Sequence, residues 1–540
     1  MKKLLLLAGC IVSVFWLKAQ ILTSSNLPVV IINTHGQTIV DDPKIMADMG
    51  IIYNGPGVRN NVSDPFNHYN GKIGIEIRGQ SSQMFPMKSY SIELRDAAGN
   101  SVDRSLFGLP KESDWVLYAP YNDKTLMHNF LAYTLSREAG HWAANCRYVE
   151  VVINGDYKGI YVLMEKIKRG SGRVNITKLN TTDISGDAVT GGYIFSIDKE
   201  ADAWFSAYQP LYGNQGQRIR FSYIYPKITS IVPEQQSWLR NYVDSFENAL
   251  NGVNYQDKQN GWRHFADEAS FIDFFIINEL SRNVDGYRLS TYFHKDRQSK
   301  GGKIVAGPVW DYDLAFRNAN YCNGSDTTGW AWAFNQTCPQ DFWQVPFWWY
   351  RLEKDSAFQS GLRCRWKQLR QTTLSDARIN TLVDSIVNLT AEARQRHFQR
   401  WPVLGNYIWP NPSPIPTTYQ EEISVLKEWL ASRISWISRN LPNSGACYDY
   451  PAAARESVIP SFFPNPAQSV LYMDVKSRSS QPFTVMIADA MGRQVARLNY
   501  QLGYGENRFQ LSVDRWAAGV YFLHWQSGQG EQATVKLLKQ

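Results

Sequence analysis

Apolar and polar positions alternate in short runs over the first third of the chain and recur every three or four residues farther on. Gly74-Ile75-Glu76-Ile77-Arg78-Gly79 alternates, breaks into the polar loop Gln80-Ser81-Ser82-Gln83, and alternates again in Lys88-Ser89-Tyr90-Ser91-Ile92-Glu93-Leu94. Period two predicts a hairpin with Arg78 at the end of one strand and Lys88 at the start of the next. Residues 124–139 read as a helix, with Leu126, Phe130, Leu131 and Leu135 largely on one side. Residues 148–153 and 159–164 alternate as two strands joined at Asn154-Gly155, a hairpin-turn dipeptide. The second runs straight into Glu165-Lys166-Ile167-Lys168.

Farther on, FIDFFIINELSR at 271–282 predicts a strongly apolar helix ending in Asn283-Val284-Asp285-Gly286-Tyr287-Arg288. Residues 289–294 and 302–306 read as short strands leading into Gly307-Pro308-Val309-Trp310-Asp311-Tyr312-Asp313. Ile423, Leu426, Leu430, Ile434 and Ile437 recur at helical spacing over 417–441, and Pro442 ends that helix. Strands come early and helices late, an α+β order and not a repeating βα one. A stretch rich in Pro, Ala and Ser at 446–463 reads as a linker, and the short alternating runs of 464–540 predict a small C-terminal β-sandwich.

Composition narrows the class. With 540 residues, 44% hydrophobic and 19% charged, the chain has enough apolar material for two to four folded domains. Net charge is +7, but no run of five like charges occurs, so a nucleic-acid footprint is not expected. MKKLLLLAGCIVSVFWLKAQ predicts a signal peptide over 1–19, and the competing lipoprotein pattern Leu7-Ala8-Gly9-Cys10 has too short an apolar run before its cysteine. No later stretch is long and apolar enough to span a bilayer. Five cysteines follow the signal. Either Cys322 and Cys338 pair across a Gly/Asn/Thr-rich loop or all five are thiols.

Two features carry chemistry. A hairpin with Arg78 and Lys88 at its mouth can neutralise phosphates, although an exposed hairpin with two solvated cations has the same pattern. Asp285 on a loop, one hairpin ahead of Asp311 and Asp313, is the arrangement a phosphotransferase needs. One carboxylate orients or deprotonates an acceptor hydroxyl, and another holds Mg²⁺ against phosphates. Taken singly, Asp285-Gly286 is also a plain turn, and Asp-x-Asp is also a strand end facing water.

Five blocks in order resemble the spore-coat CotH kinase-like family: IRGQSSQMFPMKSYSIEL at 77–94, WVLYAPYNDKTLMHNFLAYTLSREAG at 115–140, VEVVINGDYKGIYVLMEKI at 149–167, NVDGYRLSTYFHKD at 283–296 and GPVWDYDLAFRNA at 307–319. The resemblance implies an atypical protein-kinase-like two-lobed domain over 20–445. It also implies ATP- and Mg²⁺-dependent phosphoryl transfer to a protein acceptor. Position by position, Asp285 resembles the catalytic aspartate, and Asp311, with Asp313 beside it, the metal ligand. Lys88 and Arg78 resemble phosphate contacts, and Glu165 sits where a kinase hinge meets the base. The chain departs from protein kinases at Ser290, where an Asn holds their second metal, and no His-Arg pair precedes Asp285. Glu138, the one candidate partner for Lys88, falls near the end of its helix.

PNPA at 464–467, DAMGRQV at 489–495, AAGVYFLHW at 517–525 and the closing TVKLLKQ resemble the C-terminal sorting domain of type IX secretion clients. That resemblance implies passage through the periplasm, engagement of the type IX machinery, and release or retention at the cell surface. Two other functions fit parts of the pattern. One is a non-catalytic surface scaffold, binding glycans through Trp330, Trp332, Trp343, Trp348 and Trp349. The other is a sugar-nucleotide transferase using WDYD as a metal clamp, although the chain lacks a doubly wound nucleotide-binding pattern.

Overall fold

A computed structural model describes residues 22–199, 203–214, 216–442, 447, 460–477, 481–503, 505–528 and 532–540. The signal peptide expected over 1–19 and most of the expected 446–463 linker lie outside the described residues.

The early alternating runs close on themselves. Beside a two-residue ladder of β1 (Ser24–Ser25) and β4 (Asn60–Asn61), seven strands form a barrel: β2 (Val29–Asn33), β3 (Ile45–Ile52), β5 (Tyr69–Arg78), β6 (Ser89–Arg95), β7 (Asp114–Tyr118), β8 (Cys146–Ile153) and β9 (Asp156–Glu165). Their order is β2-β3-β5-β6-β7-β9-β8, and β2–β8 is parallel. Ile73, Ile75, Ile92, Leu94, Trp115, Leu117 and Leu163 fill the interior, as the period of two requires. The turn between β8 and β9 has positive φ at both Asn154 (53°) and Gly155 (79°), the backbone a two-residue hairpin demands.

The early part of the domain expected to be kinase-like and two-lobed is thus a closed seven-stranded barrel. In addition, β7 stands between the lysine-bearing hairpin and the first helix. Its sequence, DWVLY, shows no alternation because both faces are buried. Trp115 and Leu117 point into the barrel, while Val116 and Tyr118 join the larger core outside it.

That larger core holds α1 (His128–Glu138), α2 (Pro233–Asn251), α3 (Glu268–Ser281) and a mixed set of later helices: α4 (Phe334–Thr337), α5 (Trp348–Glu353), α6 (Ser356–Arg370), α7 (Asp376–Arg400) and α8 (Tyr419–Asn440). A five-stranded sheet runs through it in the order β11 (Ala203–Phe205), β12 (Arg220–Tyr225), β10 (Tyr193–Ile197), β13 (Thr291–Lys295), β14 (Val305–Ala306). From Ser270 to Ser281 every residue of α3 is buried, as an all-round apolar helix must be. The Asp267 carboxylate accepts from the Ser270 amide at its start, and Arg282 ends it with φ at 44°. The Arg282 guanidinium then donates to the carbonyls of Asn323 and Gly329, which fixes where the following loop begins. The helix read over 417–441 is α8, capped by Thr418 and Glu421 in a reciprocal box.

The last four residues expected in the linker form β15 (Pro460–Phe463), which joins β16 (Val470–Ser477) and β19 (Gly505–Ser512) in one sheet. A second sheet is made of β18 (Gln494–Leu502), β17 (Gln481–Asp489), β20 (Gly519–Ser527) and β21 (Gln532–Lys539). Leu471, Met473 and Val475 from one sheet share a core with Phe483, Val485, Leu523 and Leu537 from the other. The DAMGR motif is the β17–β18 turn: Asp489 Oδ1 accepts from the amides of Met491 and Arg493, and Gly492 takes φ of 77°. Asn465 of PNPA donates to the Lys536 carbonyl and accepts from the Leu538 amide, stitching the start of the domain to its last strand.

Of the cysteine alternatives, the Cys322–Cys338 pairing is realised. A second disulfide, Cys364–Cys447, ties the first part of the linker to α6. Cys146 is free and buried.

Candidate active site

Helices α1 and α3 grip the WDYD stretch from two sides. The Asp311 amide donates to the Tyr133 hydroxyl at 3.0 Å, and the Tyr312 amide to Asn129 Oδ1 at 2.6 Å, both on α1. The Tyr312 hydroxyl donates to Asn278 Oδ1 on α3 at 3.0 Å. Trp310 stacks on Tyr133 with ring centroids 5.8 Å apart. Asp311 itself takes φ of 64°, and Tyr287 and Ser290 on the neighbouring loop take 70° and 45°. Non-glycine residues are held in the left-handed region only where the surroundings over-determine them, as at ligand sites.

The side chains of that strip and loop come close together. Asp311 is exposed to water, yet protein crowds its carboxyl closely enough for desolvation to act on it. Ser290 Oγ lies 3.4 Å from Asp311 Oδ2 and 3.5 Å from Asp198 Oδ2, at the end of β10. Desolvation, then the Asp285 charge, push the Asp311 carboxyl above its usual range, while Arg78, Ser290 and Lys199 pull it down. Asp313 is pushed up farther, by burial and then by Asp311, although Asn122 Nδ2 donates to it at 3.3 Å. Like charges this close favour a bound cation. Asp285 is oriented by Arg288, whose Nη2 donates to its Oδ1.

Of the residues singled out in the sequence, Asp285, Asp311, Asp313 and Arg78 come together. The Arg78 guanidinium stands 5.6 Å from the Trp310 ring centroid, and its Nη1 is buried without a hydrogen-bond partner among the described residues. Lys88 is placed differently: its ammonium donates to the Gln83 carbonyl and so ties its own loop shut. Glu165 is fully buried in the barrel wall. Its Oε2 accepts from the amide and side chain of Asn145, and burial raises its carboxyl. Glu138 pairs with Arg378 on α7, away from Lys88. Among the tryptophans offered as a glycan surface, Trp348 and Trp349 are core residues with no exposure, and Trp330, Trp332 and Trp343 are half-buried.

Sequence reasoning missed Asp198, Tyr118, Lys199 and Arg288. For Arg288 the spacing of three from Asp285 was a usable signal. Lys166, just past β9, was read only as part of a strand exit; its ammonium is desolvated, and Arg78 is among its neighbouring charges.

A cationic donor beside paired carboxylates is a donor set of the kind that a phosphate chain with a divalent cation would need. Arg78 Nη1 has no hydrogen-bond partner among the described residues, which leaves a cationic donor free for an anion. Among the described residues no group of three or more His, Cys, Asp or Glu is placed to hold a metal ion. Mg²⁺ needs none, since it is commonly held by one or two carboxylates with water and substrate phosphates completing the shell.

Residues 75–437 match the family model described as CotH kinase protein, and residues 461–540 the one described as secretion system C-terminal sorting domain. The sorting domain indicates secretion to the cell surface or outer membrane, and no described helix is long and apolar enough to cross a membrane. No curated protein matches the chain. Among solved structures, dimeric latent PorU from Porphyromonas gingivalis aligns at 20% identity over 15% of this chain and 9% of that chain, with a TM-score of 0.13, too low to bear on the fold.

Proposed function

The chain belongs to the CotH kinase protein family, and from that premise we propose that it transfers the terminal phosphoryl group of ATP to a hydroxyl on a protein acceptor. The barrel and the helical body then act as the two lobes of a kinase-like fold, with the cleft between Arg78 and Asp311 as the nucleotide site.

The observation that carries this reading is the convergence of Asp285, Asp311 and Ser290 from the two ends of the β13–β14 hairpin, beside an arginine with a buried, unmet donor. Asp285, held by Arg288, takes the proton of the acceptor hydroxyl. The acceptor oxygen forms a bond to phosphorus as the bond to ADP breaks. Arg78 neutralises phosphate charge. Asp311 would hold Mg²⁺, whose chemistry is to neutralise the phosphate oxygens. Ser290 replaces the asparagine of protein kinases and is a weak ligand alone, but Asp198 reaches it from β10 and supplies the missing charge.

Calorimetry of the purified protein with Mg-ATP tests the reading. Micromolar to millimolar binding that Asp311→Ala abolishes is expected. No binding, or binding that this variant leaves unchanged, overturns it.

A further inference from the structure

Tyr118 is the last residue of β7. The two apolar residues alternate with it, so Leu117 enters the barrel and Tyr118 leaves it, toward α1 and the WDYD strip. The side chain is 9% exposed, and among the described residues its hydroxyl has no hydrogen-bond partner. Its strongest charged neighbours are Asp313, Asp123 and Asp311, in that order. Two of these are engaged elsewhere. Asp313 accepts from Asn122, and Asp123 accepts from Thr125 and from the His128 amide. A buried phenol ordinarily finds a partner, and one that does not costs the fold stability.

A phenol carries its proton at neutral pH, so what this one lacks is an acceptor. A cation held by Asp311 would bring one, because its other ligands are phosphate oxygens. Resting on the nucleotide reading above, we infer that the Tyr118 hydroxyl is a substrate-binding group that donates to a phosphate oxygen of the bound nucleotide. That phosphate chain then meets two donors on one wall of the barrel, Arg78 at the end of β5 and Tyr118 at the end of β7, on either side of Ser89 at the start of β6.

The sign of two measurements separates this role from a structural one. Tyr118→Phe removes a hydroxyl that makes no hydrogen bond among the described residues, so the unliganded variant should melt at or above the temperature of the parent protein. The same variant should bind both Mg-ATP and Mg-tripolyphosphate about tenfold to a hundredfold more weakly by calorimetry, the worth of one hydrogen bond to a charged group. Loss on Mg-ATP alone would put the contact on the nucleoside and overturn the phosphate assignment. A lower melting temperature with both affinities intact would make the hydroxyl a structural group, and would overturn the inference while leaving the kinase reading standing. If the parent protein binds neither probe, the kinase reading fails and Tyr118 falls with it.

Discussion

The buried guanidinium of Arg288 donates from Nη2 to Oδ1 of Asp285 across 2.8 Å. The same group donates from Nη1 to Asp341 and to the Trp343 carbonyl, each at 3.1 Å, and lies 4.0 Å over the Phe334 ring. Asp341 and Trp343 follow the segment that the Cys322–Cys338 disulfide closes. The orientation of the proposed catalytic carboxylate is thus set from beneath, by a side chain that makes no use of the cleft.

Arg288→Lys should separate catalysis from binding. A lysine keeps the charge but cannot make the fork that reaches Asp285, Asp341 and Trp343 together. Turnover is expected to fall about tenfold to a hundredfold, as misplacement of a reacting group does, with KM for ATP little changed. Steady-state kinetics with a labelled nucleotide reads both numbers. A KM effect with turnover preserved would place Arg288 in nucleotide binding instead.

Asp198→Asn should change the metal requirement. The amide keeps the shape and the contact to Ser290 but removes a charge from the Asp311 side of the cleft. The Mg²⁺ concentration needed for half-maximal ATP binding should rise about tenfold, one charge-assisted ligand's worth, and affinity at saturating Mg²⁺ should recover. A titration of ATP binding against Mg²⁺ checks this, and an unchanged midpoint counts against a metal role for Asp198.

How much of this site could be read from the sequence depends on how local each feature is. Helix α3, the β13–β14 hairpin and the Asp285-to-Asp311 spacing lie within one continuous stretch, so periodicity and turn residues reveal them. Barrel closure is set by the parallel pairing of β2 with β8, which joins Val29 to Glu150, and no local pattern encodes such a pairing. Asp198 and Tyr118 reach the cleft from strands remote in sequence from Asp285. Tyr118 sits inside an apolar run, where nothing marks its hydroxyl as unpaired. Lys88 shows the opposite failure. Its place at the mouth of the hairpin was legible, but alternation cannot tell whether a flexible ammonium faces the cleft or folds back on Gln83. Cys447 lies too far from Cys364 for spacing to suggest their bond.

Glu247 on α2 makes folding stability depend on pH. Its carboxyl is fully buried, accepts from Ser206 and from Trp348 Nε1, and is pushed up to about 7 by burial. A folded-state value above the unfolded one means that the folded protein binds the proton more tightly. The contribution is therefore complete below the unfolded value of 4.5 and is lost as pH rises to about 7. It amounts to about 3 kcal/mol. Glu247→Gln, which keeps an acceptor for Trp348, should flatten that slope. Melting curves at pH 4.5 and pH 8 should show the variant losing less stability than the parent between those limits. An equal loss in both would mean that Glu247 is not the titrating group.

The sorting domain should be separable from the site in the cell. Its core is drawn entirely from residues after the linker, and the Cys364–Cys447 disulfide fixes the upstream end of the connection to α6. Deleting residues 458–540 therefore removes the address while leaving the barrel, the cleft and both disulfides intact. The truncated protein is expected in the periplasmic fraction, protected from protease added to whole cells, while the full chain is cleaved at the surface or found in the medium. The geometry of the domain offers a finer version of the same test. Asn465→Ala breaks the two hydrogen bonds that join PNPA to β21, at a cost of about 1 kcal/mol each. If the machinery reads the folded sandwich, this variant should export less efficiently in proportion to its loss of stability. Normal surface display of the 458–540 deletion would overturn the assignment of the address to this domain.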